Sequence, residues 1–249
     1  ATQGTEFQVN SYTTGPQADP AIASDADGGF VVVWHSNGSS GGDYLDRSIQ
    51  GQRFAAEGAA LGAQFQVNSY TTGDQQIPAI ATDADGDFIV VWHSNGSSGS
   101  DTLLTSVQGQ RYSAAGAPLG AQFQVNSYTT GDQQFPAIAT DPNGDFIVAW
   151  RSSGASGGDI SGSSVQAQRF LVTGNLFGQV FLDQDSDGIQ DGGEPGIAGI
   201  AVELYDINAV LRRTAVTDGN GDYFLKPKEG SWTVKFVPPS NGFTFTIQD

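Results

Sequence analysis

The stretch PAIATDADGDFIVVWHS, Pro78 to Ser94, decides how most of this chain folds. Its first five residues are short and small-sided. Asp83-Ala84-Asp85-Gly86 then supplies the chemistry of a tight hairpin, because Asp bonds its own backbone two residues on and Gly takes the left-handed conformation without steric cost. FIVVW, Phe88 to Trp92, is an unbroken apolar run, as expected for a strand covered on both faces. Nothing in the window repeats at the 3.6-residue period of a helix. The stretch therefore predicts two antiparallel strands.

Downstream, the polar loop NGSSGSDTLLT leads to SVQGQRYS (Ser106 to Ser113). The turn AAGAPLG then leads to AQFQVNSYT (Ala121 to Thr129), with Phe123 and Val125 on one face. That makes four strands, and the set recurs. FQVNSYTTG begins at Phe7, Phe65 and Phe123, 58 residues apart, and Trp34, Trp92 and Trp150 keep the period, as do Arg53, Arg111 and Arg169. Four antiparallel strands with the smallest side chains on one of them is the pattern of a propeller blade, but propellers typically have about four to eight blades and three copies stand here. Two arrangements follow. The copies form a segment of a longer array, which the opening ATQGTE also suggests, or they close on themselves as a three-fold prism, with the lone N-terminal strand Glu6 to Thr14 completing the third unit. After Gly174 the repeat is replaced by NLFGQVFLD, and all three lysines lie beyond that point. The expected domains are a three-repeat β domain over 1–174 and a second β domain over 175–249.

Lys plus Arg is 10 against 27 Asp plus Glu, a net charge of −17. Nucleic acid and anionic membranes attract positive surfaces, so both are excluded as partners. No apolar run approaches the roughly 20 residues of a membrane-spanning helix. With no cysteine, disulfides and thiolate metal sites are absent, which suits an exported chain. The acidic balance favours collecting divalent cations. No G-x-S-x-G, H-E-x-x-H or P-loop pattern occurs, and the carboxylates fall at turn-type or cation-type spacing, so an enzyme is not expected.

The densest such spacing is FLDQDSDGIQDGGEPG, Phe181 to Gly196. Asp183, Asp185, Asp187, Gly188, five residues and Glu194 meet the D-x-[DN]-x-[DN]-G-x5-E calcium-loop pattern in full. Calcium takes about six to eight hard oxygen ligands. Alternating carboxylates place Asp183, Asp185 and Asp187 inside one coil, Gly188 permits the turn, Ile189 offers its carbonyl, Asp191 acts directly or through water, and Glu194 can be bidentate. Helices do not flank it: GQVFL before and IAVELYD after alternate like strands, so this is a calcium loop joining two strands. Asp218, Asn220 and Asp222 read first as a hairpin turn and second as a weaker cation site.

GQVFLDQDSDGIQDGGEPGIAGIAVELYD, then TAVTDGNGDYFL, then EGSWTVKFVPPSNGFTFT, resembles the SdrD B-like repeat, a calcium-binding, immunoglobulin-like (Cna B-type) β-sandwich of bacterial surface adhesins. The resemblance implies a stiff spacer rigidified by calcium. The 58-residue unit resembles tandem repeats of large exported bacterial surface proteins, which implies an extracellular or cell-surface setting and a structural or adhesive role. An internal Lys–Asn isopeptide bond, known in such domains, is not expected because NLFGQVFLD has no lysine.

Within the repeats, Trp34, Trp92 and Trp150 are a candidate ligand rim for sugar stacking, weighed against simple packing in their sheets. The recurring Arg is expected to pair with an Asp or a carbonyl, and Asp25-Ala26-Asp27-Gly28 and its equivalents are turns first. The function expected is an extracellular structural or adhesive protein, ordered by calcium and assembling into fibres or a layer by strand pairing. Its partners are other copies or other surface proteins. The alternative is a glycan-binding module using the tryptophan rim.

Overall fold

A computed structural model describes residues 4–38, 41–43, 46–102, 104–154, 157, 159, 162–172, 174, 176–228 and 231–238. The PSNGFTFT end of the stretch that carries the SdrD B-like resemblance lies outside the described residues. The chain is all-β, with strands and turns but no helix among the described residues, and hence no helix long and apolar enough to cross a membrane. It forms two compact units, Ala1–Leu171 and Val172–Asp249.

The first unit holds three sheets, one per repeat. Strands β1 (Gln17–Ser24), β2 (Phe30–Asn37), β3 (Arg47–Phe54) and β4 (Phe65–Gln66) form the first, in that order. β5 (Gln75–Thr82), β6 (Phe88–Asn95), β7 (Thr105–Tyr112) and β8 (Pro118–Gln124) form the second, and β9 (Gln133–Thr140), β10 (Phe146–Ser153) and β11 (Ser163–Phe170) the third. The hairpin read from Pro78 to Ser94 is in place, with Ala79 opposite Val91 and Thr82 opposite Phe88. Asp83 holds its turn: its Oδ1 accepts the Asp85 N–H at 2.9 Å and the Asp87 N–H at 3.2 Å. Asp141 does the same for Asn143 and Asp145.

Strand alternation gives each sheet two faces. Phe88, Val90 and Trp92 of β6 pack with Val31, Val33 and Ile49 of the preceding sheet in one buried cluster. At roughly 1.5–3 kcal/mol per fully buried large side chain, this contact is the main adhesive between repeats. Ile89, Val91 and His93 point the other way, where the β9 sheet covers β6; His93 meets Phe135 edge-on at 6.0 Å. The first strands also run together, Thr82 Oγ1 donating to Ser24 O and Thr140 Oγ1 to Thr82 O, each at 2.6 Å. Each first strand bulges before a proline, at Asp19, Ile77 and Phe135, all at positive φ near 50°.

The sheets stack in chain order, first on second and second on third. The expected closure by Glu6 to Thr14 is not what the structure shows. That segment forms no strand and lies against its own first repeat: Phe7 packs on Phe54 at 5.5 Å, and Gln64 Oε1 accepts the Ser11 and Tyr12 N–H groups at 2.9 and 3.1 Å. The reason is the phenylalanine. Phe65 and Phe123 make the same contact, with Tyr112 at 5.5 Å and Phe170 at 5.6 Å, so each FQVN segment anchors on the aromatic pair of the repeat that follows it. The third sheet is three-stranded among the described residues.

The second unit sets the two-stranded sheet β12 (Leu176–Gln179) and β15 (Asp222–Leu225) with the three-stranded sheet of β14 (Leu211–Val216), β13 (Ala201–Tyr205) and β16 (Thr233–Val237). Val202, Leu204 and Leu225 are its buried centre, with Leu176, Trp232, Val234 and Phe236 packed around them. This is a small β-sandwich.

Candidate metal centre

The acidic loop leaves the sandwich after β12 and returns before β13, so its geometry is set at its neck. Phe181 bridges Gly196, and Leu182 N–H donates to Pro195 O at 2.9 Å. The neck is clamped to the Asp218–Asp222 hairpin: Val180 N–H donates to Gly221 O at 2.9 Å, and Ile197 N–H to Val180 O at 2.8 Å. Gly196 is required there, since a Cβ on it would stand 1.7 Å from Asn220 O.

Inside the loop, carboxylates serve backbone amides. Asp183 accepts the Ser186 N–H through Oδ1 at 2.7 Å and the Gly188 N–H through Oδ2 at 3.1 Å. Asp185 accepts the Asp187 N–H at 3.3 Å, and Asp187 the Ile189 N–H at 2.8 Å. Glu194 is buried and spans the coil, Oε1 on the Gln184 N–H at 2.6 Å and Oε2 on the Asp191 N–H at 3.0 Å. Gly188, at φ 80°, makes the turn in the left-handed region. One carboxylate oxygen from each of Asp183, Asp185 and Asp187 falls within 4.8 Å of the others, a cluster that could hold a metal ion. Like charges this close cost free energy. The Asp187 N–H bond lowers the Asp185 pKa, but desolvation and the charges of Asp187, Glu194 and Asp191 outweigh it and the carboxyl rises. The donor set is all oxygen, which suits a hard cation and not a thiol- or imidazole-seeking one.

Asp218, Asn220 and Asp222 form the plain turn: Asp218 Oδ1 accepts the Asn220 and Asp222 N–H groups at 2.8 and 3.0 Å. Asp206 serves Asn208 and Val210 the same way.

The candidate rim in the repeats is corrected. Trp34, Trp92 and Trp150 are all buried, and each indole N–H donates to a glutamine, Gln17, Gln75 and Gln133, at 2.8 to 2.9 Å. Trp92 and Trp150 lie inside the sheet stack because even-numbered β6 and β10 residues face the preceding repeat, whereas Trp34 lies on the outer face of the first sheet, packed with Val32 and Phe54 under Val9. Arg53 donates to Ala115 O in the next repeat, and Arg169 lies 3.9 Å from Asp145.

Sequence reasoning missed a buried polar set at each repeat junction. Asn68 Oδ1 accepts the Ile49 N–H at 2.8 Å while its Nδ2 donates to Asp43 at 3.1 Å; Asn126, Val107 and Asp101 repeat this at 2.8 and 2.7 Å. Burial raises both aspartate pKa values, against the asparagine bonds that lower them. The period-58 spacing of Asp43 and Asp101 was the available signal.

The second unit is thus a β-sandwich module with a clamped acidic loop between its strands. It is similar to the SdrD B-like domain, the model of which matches residues 174–249. Curated relatives match about a third of the chain. Serine-aspartate repeat-containing protein F of Staphylococcus epidermidis is 40% identical over 89 residues, covering 35% of this chain and 5% of the relative. Serine-aspartate repeat-containing protein D of Staphylococcus aureus (strain Newman) is 36% identical over 89 residues, 35% of this chain and 7% of the relative. The chain therefore spans a small fraction of these relatives' length. Among solved structures, an endo-arabinase from Bacteroides thetaiotaomicron covers 65% of this chain and 58% of its own, at 14% identity and a TM-score of 0.42, a likeness too distant to carry functional weight.

Proposed function

We propose that this chain is part of an extracellular surface protein with a structural or adhesive role, in which calcium stiffens the C-terminal module. The observation that carries the reading is the loop from Asp183 to Glu194, pinned at its neck to the sandwich and holding three carboxylates together. Asp183, Asp185 and Asp187, the Ile189 carbonyl, Asp191 and Glu194 are the residues that would hold the ion. Calcium would supply charge neutralisation; the chain supplies a neck that cannot drift and a glutamate that already ties two loop amides. The serine-aspartate repeat-containing relatives support the surface setting. Contact with other surface proteins or other copies follows from that setting.

The test is a thermal melt of the full chain in millimolar calcium and in EDTA, with light scattering on both samples. A calcium-dependent rise in the melting temperature of the second unit, lost in Asp183→Asn, supports the reading. Identical melts in calcium and EDTA refute it.

A further inference from the structure

We propose that the chain cuts itself in mild acid at the Asp19–Pro20 bond, with the Asp19 carboxylate as the attacking group and His35 beside it. Two Asp–Pro bonds stand in the sequence, Asp19–Pro20 and Asp141–Pro142, and the fold holds them differently.

The first bond lies in a bulge. The ladder between β1 and β2 runs from Ala18 opposite His35 to Ala21 opposite Val33, so Asp19 and Pro20 are passed over. Asp19 stands at φ 52°. A Cβ crowds the carbonyl oxygen in that left-handed region, and a following proline favours extended angles in the residue before it. Breaking the bond releases both constraints. Ile77 and Phe135 occupy the same place before Pro78 and Pro136, at φ 50° and 55°. The bulge therefore does not need a carboxylate, and of the three repeats the first alone puts one there.

The carboxylate is also placed beside a base. Asp19 Oδ2 lies 3.1 Å from His35 Nδ1, with the aspartate side chain 50% exposed and the imidazole 10%. Water therefore reaches the aspartate. Protonated, His35 is a cation beside the reacting residue, where negative charge develops on the carbonyl oxygen under attack. The charged groups around His35 are Asp19 on β1, Arg47 on β3 and Asp74 just ahead of β5, with His93 in the next sheet. Burial lowers the His35 pKa; Asp19 opposes this, Arg47 adds to it and Asp74 opposes it. Protonation thus sets in below about pH 6.5.

The second bond lacks these features. Asp141 Oδ1 is taken by the Asn143 and Asp145 N–H groups at 2.9 and 3.1 Å, and Asp141 is not at positive φ.

The reaction consumes only water. A side-chain oxygen of Asp19 attacks the Asp19 carbonyl carbon and closes a cyclic anhydride. The C–N bond to Pro20 breaks, and the nitrogen leaves with a proton from the acidic solvent. Proline suits this step because its tertiary amide nitrogen is more basic than that of other peptide bonds. Water then opens the anhydride. The sum is one peptide bond and one water converted to the Asp19 α-carboxylate and the Pro20 ammonium. Val9 packs over Val32, Trp34 and Phe54. Cleavage turns that cover into a bound peptide, held by Phe7 on Phe54 and by the Gln64 bonds to Ser11 and Tyr12.

The test holds the full chain at about pH 5 and follows its intact mass, once folded and once in denaturing urea. The expected result is a fragment of residues 20–249 that accumulates at least about 10-fold faster from the folded chain than from the unfolded one, while Asp141–Pro142 stays whole. The rate in the parent should rise from about pH 7 to about pH 5 as one group protonates; this arm needs no variant. Asp19→Ile places there the residue of the second repeat, so it should abolish the cut and leave the melting temperature unchanged. His35→Gln should slow the cut by about 10-fold or more. A folded chain that stays whole overturns the proposal. So do equal cleavage of the two Asp–Pro bonds, cleavage no faster folded than in urea, or a rate that does not change over that pH range.

Discussion

The ring of Phe65 lies against Gly51 so closely that a Cβ on the glycine would stand 2.7 Å from its ζ carbon. The same ring packs on Phe88 and Tyr112 of the next sheet, at 6.5 and 5.5 Å. One residue thus pairs with the repeat before it and fills the core of the repeat after it.

Gly51→Ala and Gly109→Ala should each destabilise the repeat unit by about 1–3 kcal/mol, the usual cost of overpacking. The sign is informative, because replacing a strand glycine by alanine in open space normally stabilises by roughly 0.5–1 kcal/mol. Ala167→Gly, on the exposed edge, should cost no more than about 1 kcal/mol. Urea unfolding midpoints of the three variants would show the contrast, and equal effects at positions 109 and 167 would refute the packing account.

Trp92 sits inside the stack with its indole N–H on Gln75 at 2.8 Å. Trp92→Ala should cost about 3–5 kcal/mol through the cavity left behind. Trp34→Ala should cost less, since Trp34 borders the open hollow on the first repeat. Denaturant melts check the order; a Trp92 variant as stable as the parent would return the tryptophans to a surface role.

Acid should weaken the stack through its histidines. Desolvation by burial lowers the His93 pKa first, and the nearby His35 lowers it further; desolvation also lowers His35 despite Asp19, 3.1 Å from its Nδ1. A lowered folded pKa means the unfolded chain binds more protons between that value and the ordinary 6.5. The stabilisation is therefore complete above about pH 6.5 and is lost as pH falls through the folded pKa values. His93→Gln should flatten the dependence of stability on pH between about 7 and 5; an unchanged slope in urea melts would refute it.

Much of this was legible in the sequence because period 58 and strand alternation are both local. The hairpin at Asp83, the first three strands of the second repeat and the loop from Asp183 follow from residue order; the fourth strand, read as Ala121 to Thr129, instead runs Pro118–Gln124. What was not legible is where a segment goes once it leaves its strand. EFQVNSYTT reads as a free strand seeking the third sheet, yet the Phe7 contact with Phe54 holds it on the first. The tryptophans read as rim or core until strand parity is fixed by the register of β6 on β5 and β7. The serial Asn–Asp pairs were hidden because Asp43 and Asn68 are 25 residues apart and meet only through the fold.

The acidic loop makes the sharpest test, since removing one charge should act in opposite directions with and without calcium. Without the ion, Asp185 faces the charges of Asp187, Glu194 and Asp191 and accepts only one amide, from Asp187 at 3.3 Å. Asp185→Asn relieves that repulsion, so in EDTA the second unit should melt no lower than the parent. In saturating calcium the parent gains stability by mass action, about 2.7 kcal/mol at a concentration 100 times the dissociation constant, and the variant should lose most of that gain. Glu194→Gln should behave differently. Its two oxygens tie Gln184 and Asp191 amides, and an NH₂ in place of one oxygen would face an N–H, so this variant should be weaker in both conditions. Calorimetry of both variants in calcium and in EDTA gives four numbers. If Asp185→Asn falls equally in both conditions, the loop is a hydrogen-bonded turn and its carboxylates do not hold an ion.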